Sequence, residues 1–329
     1  MIAYLVTGGA GFIGSNFVIY LLNKYQNIKV IMLDKLTYAA DLDNLGSYLK
    51  DERLEFVKGD ICDKNIVESI FDKTDIKYVV NFAAESHVDK SIEGAEEFVI
   101  TNVFGTVNLL TVAKKYWEKD LENHKFIQIS TDEVYGELQD VNSLFVETNP
   151  INPRNPYAAS KASADFFVKS FHETHKIPIN ITRCSNNYGK HQHVEKLIPK
   201  TILSMLKNEP VTIYGDGNQI RDWLFVEEHC SAIDLVVHNG RNGEIYNIGG
   251  NNEISNIDVV NYIGKYLINK NIIKNYTIKY VADRKGHDRR YGMCFNKMHA
   301  EFGWQPSKDN EKNIGETIDW YCIKLQKLL

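Results

Sequence analysis

The residues Tyr157 and Lys161 form a Tyr-x-x-x-Lys arrangement that is suited to proton transfer. On a helix, residues four apart share a face, so the ammonium group can lie beside both the phenol and a bound ligand. A tyrosine has an unperturbed pKa of about 10, and a neighbouring cation favours its phenolate form. The pair therefore predicts a tyrosine that acts as a base near neutral pH.

The spacing alone does not single out this pair. Three other pairs share it, and we interpret them as surface helix faces: Tyr20 with Lys24, Tyr25 with Lys29, and Tyr266 with Lys270. Tyr157 differs in its context, because it follows Asn155-Pro156 at a predicted helix start. It also lies downstream of the segment 130–136, which begins where a predicted strand ends.

A threonine and two carboxylates, Thr131, Asp132 and Glu133, occupy that strand end. Parallel α/β sheets bind their ligands at the carboxyl ends of their strands. An adjacent acid and base can donate one proton and remove another, as the elimination of water requires. Because Asp-Glu pairs are also common on protein surfaces, a solvated pair is the alternative interpretation.

A glycine-rich segment, Gly8 to Gly14, separates the first predicted strand from the first predicted helix. Gly8, Gly11 and Gly14 permit a tight turn and close backbone approach to a pyrophosphate. Phe12 and Ile13 begin the helix, whose N-terminal amides then face the phosphates. The segment predicts a dinucleotide-binding loop.

Acidic residues at the ends of the next two strands predict the remaining cofactor contacts. Asp34 lies 20 residues after Gly14, where a carboxylate accepts hydrogen bonds from the ribose hydroxyls and repels a 2′-phosphate, which favours NAD over NADP. Asp60 is a candidate adenine contact. Ala83 and Ala84 would let the cofactor lie against bare backbone. The structural alternatives are a strand cap at Asp34, a turn at Asp60 and ordinary small-residue packing at the alanines.

Secondary-structure elements must position these residues. Along the chain, short apolar runs, which predict strands, alternate with segments of helical periodicity, which predict helices. Strands are predicted at residues 2–7, 28–34, 54–57, 78–82, 125–130 and 177–182. Helices are predicted at residues 12–24, 63–72, 95–118 and 157–174. This alternation predicts an α/β fold, a doubly wound parallel (Rossmann) sheet.

The alternation ends near residue 188, where Pro, Gly and Asn become frequent. Residues 1–188 are predicted to form the NAD-binding domain. Residues 189–329 are predicted to form mainly a smaller C-terminal substrate-binding domain, with part of 225–260 returning to the large sheet.

Composition excludes several functional classes. The net charge of −5, without a block of like charge, argues against a nucleic-acid or anionic-membrane partner. Five scattered cysteines without a CxxC motif argue for reduced thiols. The first residues lack a basic segment and a cleavage signal, and no apolar run is long enough to span a bilayer. These features predict a cytoplasmic protein.

The glycine loop, the strand-end segment and Tyr-x-x-x-Lys together resemble the extended short-chain dehydrogenase/reductase superfamily. The Thr-Asp-Glu triplet further resembles the signature of the dTDP-glucose 4,6-dehydratases. Five other stretches also resemble this family, and they are distributed over nearly the whole chain: 34–39, 83–89, 184–189, 221–224 and 286–291.

The resemblance implies an NAD-dependent dehydration of a nucleotide-linked hexose, most simply dTDP-glucose to dTDP-4-keto-6-deoxyglucose. Thr131, Tyr157 and Lys161 would be the catalytic trio, and Tyr157 would take the C4 hydroxyl proton while hydride leaves C4. Glu133 would then remove the C5 proton as Asp132 protonates the departing C6 hydroxyl. The hydride would return to C6, so NAD would remain bound.

The resemblance also implies the ligand contacts. The implied NAD contacts beyond those above are Lys35, Thr37, Ile61, Phe82, Ser86, Thr101, Tyr157, Lys161 and Asn187. The implied substrate contacts are Ser86, Thr131, Asn186, Lys196, Leu197, Thr212, Ile213, Tyr214, Arg221, Asn256, Asp283, Arg284 and His287. Arg221 has the clearest physical reason, because a guanidinium group suits a diphosphate, although a surface salt bridge is its structural alternative.

The chain departs from the family pattern at Ala40-Asp41, at Lys285 and at 190–193, and the last two border the expected substrate pocket. Neither His172-x-x-His175 nor the His191 and His193 pair matches a zinc motif, so no metal is predicted. The resemblance implies a homodimer joined through the helices 95–118 and 157–174.

Two alternatives use the same scaffold. A nucleotide-sugar 4-epimerase or decarboxylase would share NAD and the Tyr-Lys pair but would need no Asp-Glu elimination pair. A non-catalytic NAD-sensing regulator could lose Tyr157 or Lys161, whereas both are present.

Overall fold

A computed structural model describes residues 1–140 and 142–326 of the chain. The strands in chain order are β1 (Ile2–Thr7), β2 (Ile28–Asp34), β3 (Leu54–Lys58), β4 (Ile76–Asn81), β5 (Lys125–Thr131), β6 (Ile179–Cys184), β7 (Asn186–Tyr188), β8 (Val211–Tyr214), β9 (Ile220–Phe225), β10 (Ile245–Ile248), β11 (Glu253–Ser255) and β12 (Ile278–Val281). The α-helices are α1 (Phe12–Lys24), α2 (Lys64–Lys73), α3 (Val88–Glu93), α4 (Glu96–Phe98), α5 (Thr106–Trp117), α6 (Pro156–His175), α7 (Leu197–Leu206), α8 (Val226–Asn239), α9 (Asn256–Asn269), α10 (Asn296–Phe302) and α11 (Asn310–Gln326).

Seven strands form the central sheet in the order β10-β6-β5-β4-β1-β2-β3. Every pairing within it is parallel. The predicted doubly wound parallel sheet is therefore confirmed. The strand order reverses between β1 and β4, which places a crevice for ligands at their carboxyl ends.

The predicted strands and helices match the observed ones closely. The largest displacements are two residues: β4 begins at Ile76 rather than 78, and β6 begins at Ile179 rather than 177. Pro178 has no backbone N–H to donate to a sheet, so the ladder begins after it. The predicted helix 95–118 corresponds to α4, a π-helical segment (Val99–Gly105) and α5 in direct succession.

Apolar side chains cover both faces of the central sheet, as expected for parallel strands. On one face, α1 and α8 pack through residues such as Phe17, Leu21 and Ile233. On the other face, α2, α5 and α6 pack through residues such as Leu109 and Val168. The sheet is thus held rigidly between two helical layers, and its strand ends have fixed positions.

The second half of the chain contributes to both parts of the molecule. α8 covers the central sheet and β10 is its edge strand beside β6. The strands β11, β9 and β7 form a separate three-stranded sheet in that order, and β12 and β8 form a two-stranded sheet. The helices α7, α9 and α11 pack together in a second hydrophobic core. Among the described residues, no helix has both the length and the apolar character needed to cross a membrane.

Candidate active site

A cavity of about 660 Å³ opens at the carboxyl ends of the central strands. Its walls come from the loops after β1, β2, β4, β5 and β6, and from segments near α7, β8, β9 and β12. The cavity thus spans the crevice at the β1–β4 reversal and extends to the second core. It is large enough for a cofactor and a substrate to share.

Nearly all the residues selected from the sequence line this one cavity. These are Gly8, Gly11, Phe12, Ile13, Gly14, Asp34, Lys35, Thr37, Asp60, Ile61, Phe82, Ala83, Ala84, Ser86, Thr101, Thr131, Asp132, Glu133, Tyr157, Lys161, Asn186, Asn187, Lys196, Leu197, Thr212, Ile213, Tyr214, Arg221, Asn256, Arg284 and His287. Residues almost 280 positions apart in the chain therefore meet around one volume.

Asp283 is the exception, because it does not line the cavity. Its carboxylate contacts Nδ1 of His287 at 2.6 Å and accepts a hydrogen bond from Nε2 of Gln219 at 3.1 Å. Asp283 contacts His287, which itself lines the cavity, and its direct contact with the substrate stays a prediction.

The glycine loop packs too closely for side chains. A Cβ on Gly8 would lie 2.7 Å from the backbone nitrogen of Ala83, and Gly8 has a positive φ of 68°. A Cβ on Gly14 would collide with the carbonyl oxygen of Gly8. This contact brings the N-terminus of α1 against the end of β1, where its free amides face the cavity. The loop thus has the bare backbone and amides that a dinucleotide pyrophosphate requires.

The carboxylate of Asp34 is buried at the end of β2 beside this loop. Its oxygens accept hydrogen bonds from the backbone amides of Ala10 at 2.9 Å and Leu36 at 2.8 Å. Burial raises the pKa of Asp34, against these two hydrogen bonds. Asp34 therefore shapes the loop and also lines the cavity, so its structural and binding interpretations are compatible.

The position of Asp60 is also compatible with both of its interpretations, as a turn residue and as a contact of the cofactor adenine. Its carboxylate accepts a hydrogen bond from the amide of Cys62 at 2.9 Å, as in a turn, and pairs with Lys35 at 2.9 Å. It also lines the cavity.

Thr131 and Asp132 form one hydrogen-bonded unit where β5 ends. The Thr131 hydroxyl donates to Oδ1 of Asp132 at 3.0 Å and accepts from the amide of Glu133 at 3.3 Å. Burial and the adjacent Glu133 raise the pKa of Asp132 to about 8. Asp132 therefore holds a proton at neutral pH, which suits a general acid.

Glu133 occupies a different environment from its neighbour. Burial raises the pKa of Glu133, but a hydrogen bond from Asn155 and the charges of Arg221 and Lys196 oppose that rise. The Asn155 amide donates to Oε2 of Glu133 at 2.9 Å. These groups favour the carboxylate form, so Glu133 is the better base of the pair.

Tyr157 and Lys161 lie one turn apart on α6, and both line the cavity. Burial raises the pKa of Tyr157 well above its usual value, and Glu133 adds to this rise. Burial also lowers the pKa of Lys161, whose ammonium donates to the carbonyl of Ile129 at 2.5 Å. That Tyr157 acts as a base near neutral pH therefore stays a prediction.

The other Tyr-x-x-x-Lys pairs lie outside the cavity, but one interpretation of them was wrong. Tyr25 is the C-terminal cap of α1 and Lys29 belongs to β2, so this pair does not share a helix face. The turn between the two elements interrupts the helical spacing. Tyr20 and Lys24 do share α1.

Arg221 is buried rather than part of a surface salt bridge. Its guanidinium group donates to the carbonyls of Ile220 at 2.8 Å and Asp288 at 3.0 Å. It also lies 4.5 Å from the ring centroid of Tyr291. These contacts hold a buried cation at the cavity wall, where an anionic ligand would be favoured.

Sequence reasoning gave no site role to several side chains that the fold brings to this cavity, although some of them lie in the family-like stretches 83–89 and 286–291. Among them are Glu85, His87, Asn155, Glu195, Asp288 and Tyr291. The Asn155-Pro156 sequence did signal a helix start, where the side-chain oxygen Oδ1 of Asn155 accepts a hydrogen bond from the amide of Ala158 at 2.8 Å. The hydrogen bond between Asn155 and Glu133 joins residues 22 positions apart, so no local sequence pattern predicts it.

Comparison with known proteins gives matches along almost the entire chain. The protein-family model described as GDP-mannose 4,6 dehydratase matches residues 5–317. A dTDP-glucose 4,6-dehydratase of Haemophilus influenzae is 48% identical and is covered over 98% of its length by 98% of this chain.

Solved structures show the same similarity. The dTDP-glucose 4,6-dehydratase of Bacillus anthracis, solved in complex with NAD, is 44% identical with a TM-score of 0.89, over 99% of this chain and 98% of that chain. The dTDP-glucose 4,6-dehydratase of Streptomyces venezuelae, solved with NAD bound, is 40% identical with a TM-score of 0.92, over the same shares.

Proposed function

The chain belongs to the family described as GDP-mannose 4,6 dehydratase and, within it, to the dTDP-glucose 4,6-dehydratases, and on this premise we propose how its own side chains perform the reaction. The enzyme is an NAD-dependent hydro-lyase of deoxysugar biosynthesis. It converts dTDP-glucose to dTDP-4-keto-6-deoxyglucose.

The observation that supports our assignment of roles is one cavity that contains the Tyr157-Lys161 pair and the Asp132-Glu133 pair. The first pair suits oxidation at a carbon that bears a hydroxyl group. The second suits loss of water, because its two carboxyl groups have opposed tendencies to hold a proton. An epimerase or decarboxylase would use only the first pair.

NAD is the cofactor of this enzyme, and when bound it accepts hydride from C4 and returns it to C6. We assign its phosphates to the loop of Gly8, Gly11 and Gly14, because only bare backbone fits there. Asp34 would accept hydrogen bonds from the adenine ribose. The alanines at 83 and 84 line the same cavity, and the backbone of Ala83 packs against Gly8.

We assign each proton transfer of the reaction to a side chain of the protein. Tyr157 receives the proton of the C4 hydroxyl, and Thr131 and Lys161 orient the reacting groups at the end of β5. The C4 ketone acidifies the C5 hydrogen, which Glu133 removes as a carboxylate. Asp132, which retains its proton at neutral pH, protonates the departing C6 hydroxyl so that it leaves as water. Glu133 then returns a proton to C5 as the hydride reaches C6, and the proton held by Tyr157 replaces, through solvent, the one that Asp132 gave up.

The sugar nucleotide would occupy the part of the cavity formed by the second half of the chain. Arg221 is the proposed diphosphate ligand, because its buried guanidinium group has no carboxylate partner among the described residues. Lys196 adds a second cation at the cavity wall. We accordingly retain the division into an NAD-binding domain, residues 1–188 with part of 225–260, and a mainly substrate-binding domain, residues 189–329.

A homodimer in the cytoplasm is also part of this proposal. Large apolar side chains are exposed on the helical layer formed by residues 96–117 and α6: Val99, Ile100, Phe104, Phe166 and Phe167. Such a surface favours association with a second copy. The molar mass in solution of wild-type protein and of Phe166→Asp tests this, and a wild-type monomer would exclude the dimer.

The activity is tested by incubating the purified protein with dTDP-, UDP-, GDP- and CDP-hexoses. Mass analysis should show loss of one water from dTDP-glucose and much less from the others. Turnover in heavy water should place deuterium at C5, and a label from C4 should reappear at C6. Return of the label to C4 would instead identify an epimerase.

A further inference from the structure

The side chain of Asn155 connects the two chain segments that contain the reacting groups. Its Nδ2 donates to Oε2 of Glu133 at 2.9 Å, and its Oδ1 accepts from the amide of Ala158 at 2.8 Å. Asn155 is buried and lines the cavity. One amide group therefore joins the turn after β5 to the first turn of α6.

The two contacts fix the orientation of this amide. The backbone N–H of Ala158 needs an acceptor, and a carboxylate needs a donor, so a flipped amide would lose both hydrogen bonds. Serine and aspartate cap helices about as well as asparagine. Neither can supply the same N–H donor to Glu133, so the cap alone does not require asparagine.

The charged groups around Glu133 explain why the donor matters. Asp132 precedes it, Tyr157 faces it from α6, and Asp288 and Tyr291 face it from the segment after β12. Burial and this acidic surrounding favour a protonated Glu133. The opposing groups are the cations Arg221 and Lys196 and the amide of Asn155.

We propose that Asn155 is a positioning residue for proton removal at C5: its N–H holds Glu133 in the ionised form while its carbonyl oxygen fixes the start of the helix that bears Tyr157. This role rests on the proposed function. It assigns Asn155 to the elimination step and predicts that oxidation at C4 depends on it much less.

Asn155→Ser keeps a helix cap, with its shorter hydroxyl at the amide of Ala158, but removes the Nδ2–H donor to Glu133. A hydrogen bond to a charged group contributes about 1.5–3 kcal/mol, which corresponds to about 10–100-fold in rate. We expect water loss to slow by that factor. C4 oxidation, followed in a single turnover as reduced cofactor, should slow by less than about 3-fold on the same reasoning.

Asn155→Asp keeps the shape and the cap but places a second carboxylate beside Glu133. Two carboxylates at this distance cannot both ionise easily, so one proton is shared and the pKa of the pair rises. The acidic limb of the kcat profile should move to higher pH by at least about 1 pH unit. Activity lost at neutral pH should therefore recover in alkaline buffer.

A matched control is Asp63→Ser at the N-cap of α2, which lies outside the cavity. It changes a cap of the same kind and should leave both half-reactions and the pH profile unchanged. Deuterium incorporation at C5 and reduced-cofactor formation are measured for wild type and all three variants.

The outcomes separate the two hypotheses. If the wild type loses no water, the proposed function itself fails. If the wild type is active but Asn155→Asp keeps the wild-type pH profile, the positioning role is overturned. Equal slowing of C4 oxidation and water loss in Asn155→Ser would likewise show that Asn155 acts only as a cap for α6.

Discussion

Two Tyr-x-x-x-Lys pairs with identical spacing occupy helices of the same layered fold and do different things. Tyr157 and Lys161 line the cavity from α6. Tyr20 and Lys24 lie on α1 where it packs against α8. The comparison shows which features turn a common spacing into a reactive site.

The α1 pair is neutralised by a carboxylate. Lys24 donates to the buried Asp234 at 2.6 Å and to the Tyr20 hydroxyl at 3.0 Å, and Tyr25 also donates to Asp234 at 2.9 Å. Although burial opposes it, these hydrogen bonds raise the pKa of Lys24. The ammonium is thus fixed in a structural ion pair that joins two helices.

The α6 pair lacks such a partner. Lys161 is buried, donates to a backbone carbonyl, and has a lowered pKa because of burial. Within the described parts of the chain it forms no ion pair with a carboxylate. The charge of Asp165 raises the pKa of Lys161 against the effect of burial but forms no ion pair with it, so an anion beside Lys161 is favoured more than one beside the paired Lys24.

The largest expected effect is on turnover at the α6 pair. Tyr157→Phe should lower kcat by about 10²–10⁴-fold, because a positioned acid or base contributes that much. Tyr20→Phe is the matched control and should leave kcat unchanged. Equal losses in the two variants, measured as water loss from dTDP-glucose, would remove the distinction between the pairs.

Each Tyr-Lys pair has a carboxylate near it. We expect Glu133, near the α6 pair, to affect catalysis, and Asp234, beside the α1 pair, to affect stability. Glu133→Gln should lower the rate of water loss by about 10²-fold or more, because the base is gone while Tyr157 and Lys161 remain. C4 oxidation should persist, so reduced cofactor should accumulate in a single turnover. A variant that neither oxidises C4 nor loses water would show that Glu133 has no separate role in elimination.

Asp234→Asn should have the opposite consequence at the α1 pair. It removes a buried charge that accepts hydrogen bonds from Lys24 and Tyr25, so the free energy of unfolding should fall by about 1–3 kcal/mol. The kcat of the folded variant should equal that of the wild type. Urea unfolding and an activity assay at the same temperature measure both quantities, and a stable but inactive variant would contradict this assignment.

The pH dependence of that stability gives a smaller effect. Although burial opposes it, hydrogen bonds from His238 and Lys24 hold the pKa of Asp234 below its usual value. The stabilisation is therefore present above the unfolded pKa of about 3.9 and is lost as pH falls through the folded pKa. The stability difference between wild type and Asp234→Asn should shrink below about pH 4.

The smallest expected effect involves His238, whose pKa is raised by Asp234 even though burial opposes the change. Its stabilisation is full below the unfolded pKa of about 6.5 and is lost as pH rises through the folded pKa. His238→Gln should therefore cost up to about 1 kcal/mol near pH 6 and less near pH 9. Unfolding in urea at the two pH values checks this, and a larger loss at the higher pH would contradict it.

Sequence reasoning predicted the central sheet because its signals are local. Apolar runs such as 78–82 and the glycine loop each reflect the conformation of a few neighbouring residues. The helix start at Asn155-Pro156 could also be predicted from the sequence, because the side chain of Asn155 caps an amide only three residues further along the chain, that of Ala158. The interpretation of Tyr25 and Lys29 as a helix face was wrong because it rested on spacing alone, although the predicted bounds of helix 12–24 and strand 28–34, which the structure confirms, already separate the two residues.

The sequence by itself predicted the fold class, the cofactor loop and the acid-base residues, because residue types and short spacings limit backbone conformation and proton chemistry. Only the tertiary structure decided that Tyr157 and Lys161 line the cavity while Lys24 is paired with Asp234, and that Asn155 reaches Glu133. Those outcomes depend on burial and on charges brought from distant segments. The pKa of Asp132, for example, rises to about 8 mainly because folding removes water from it.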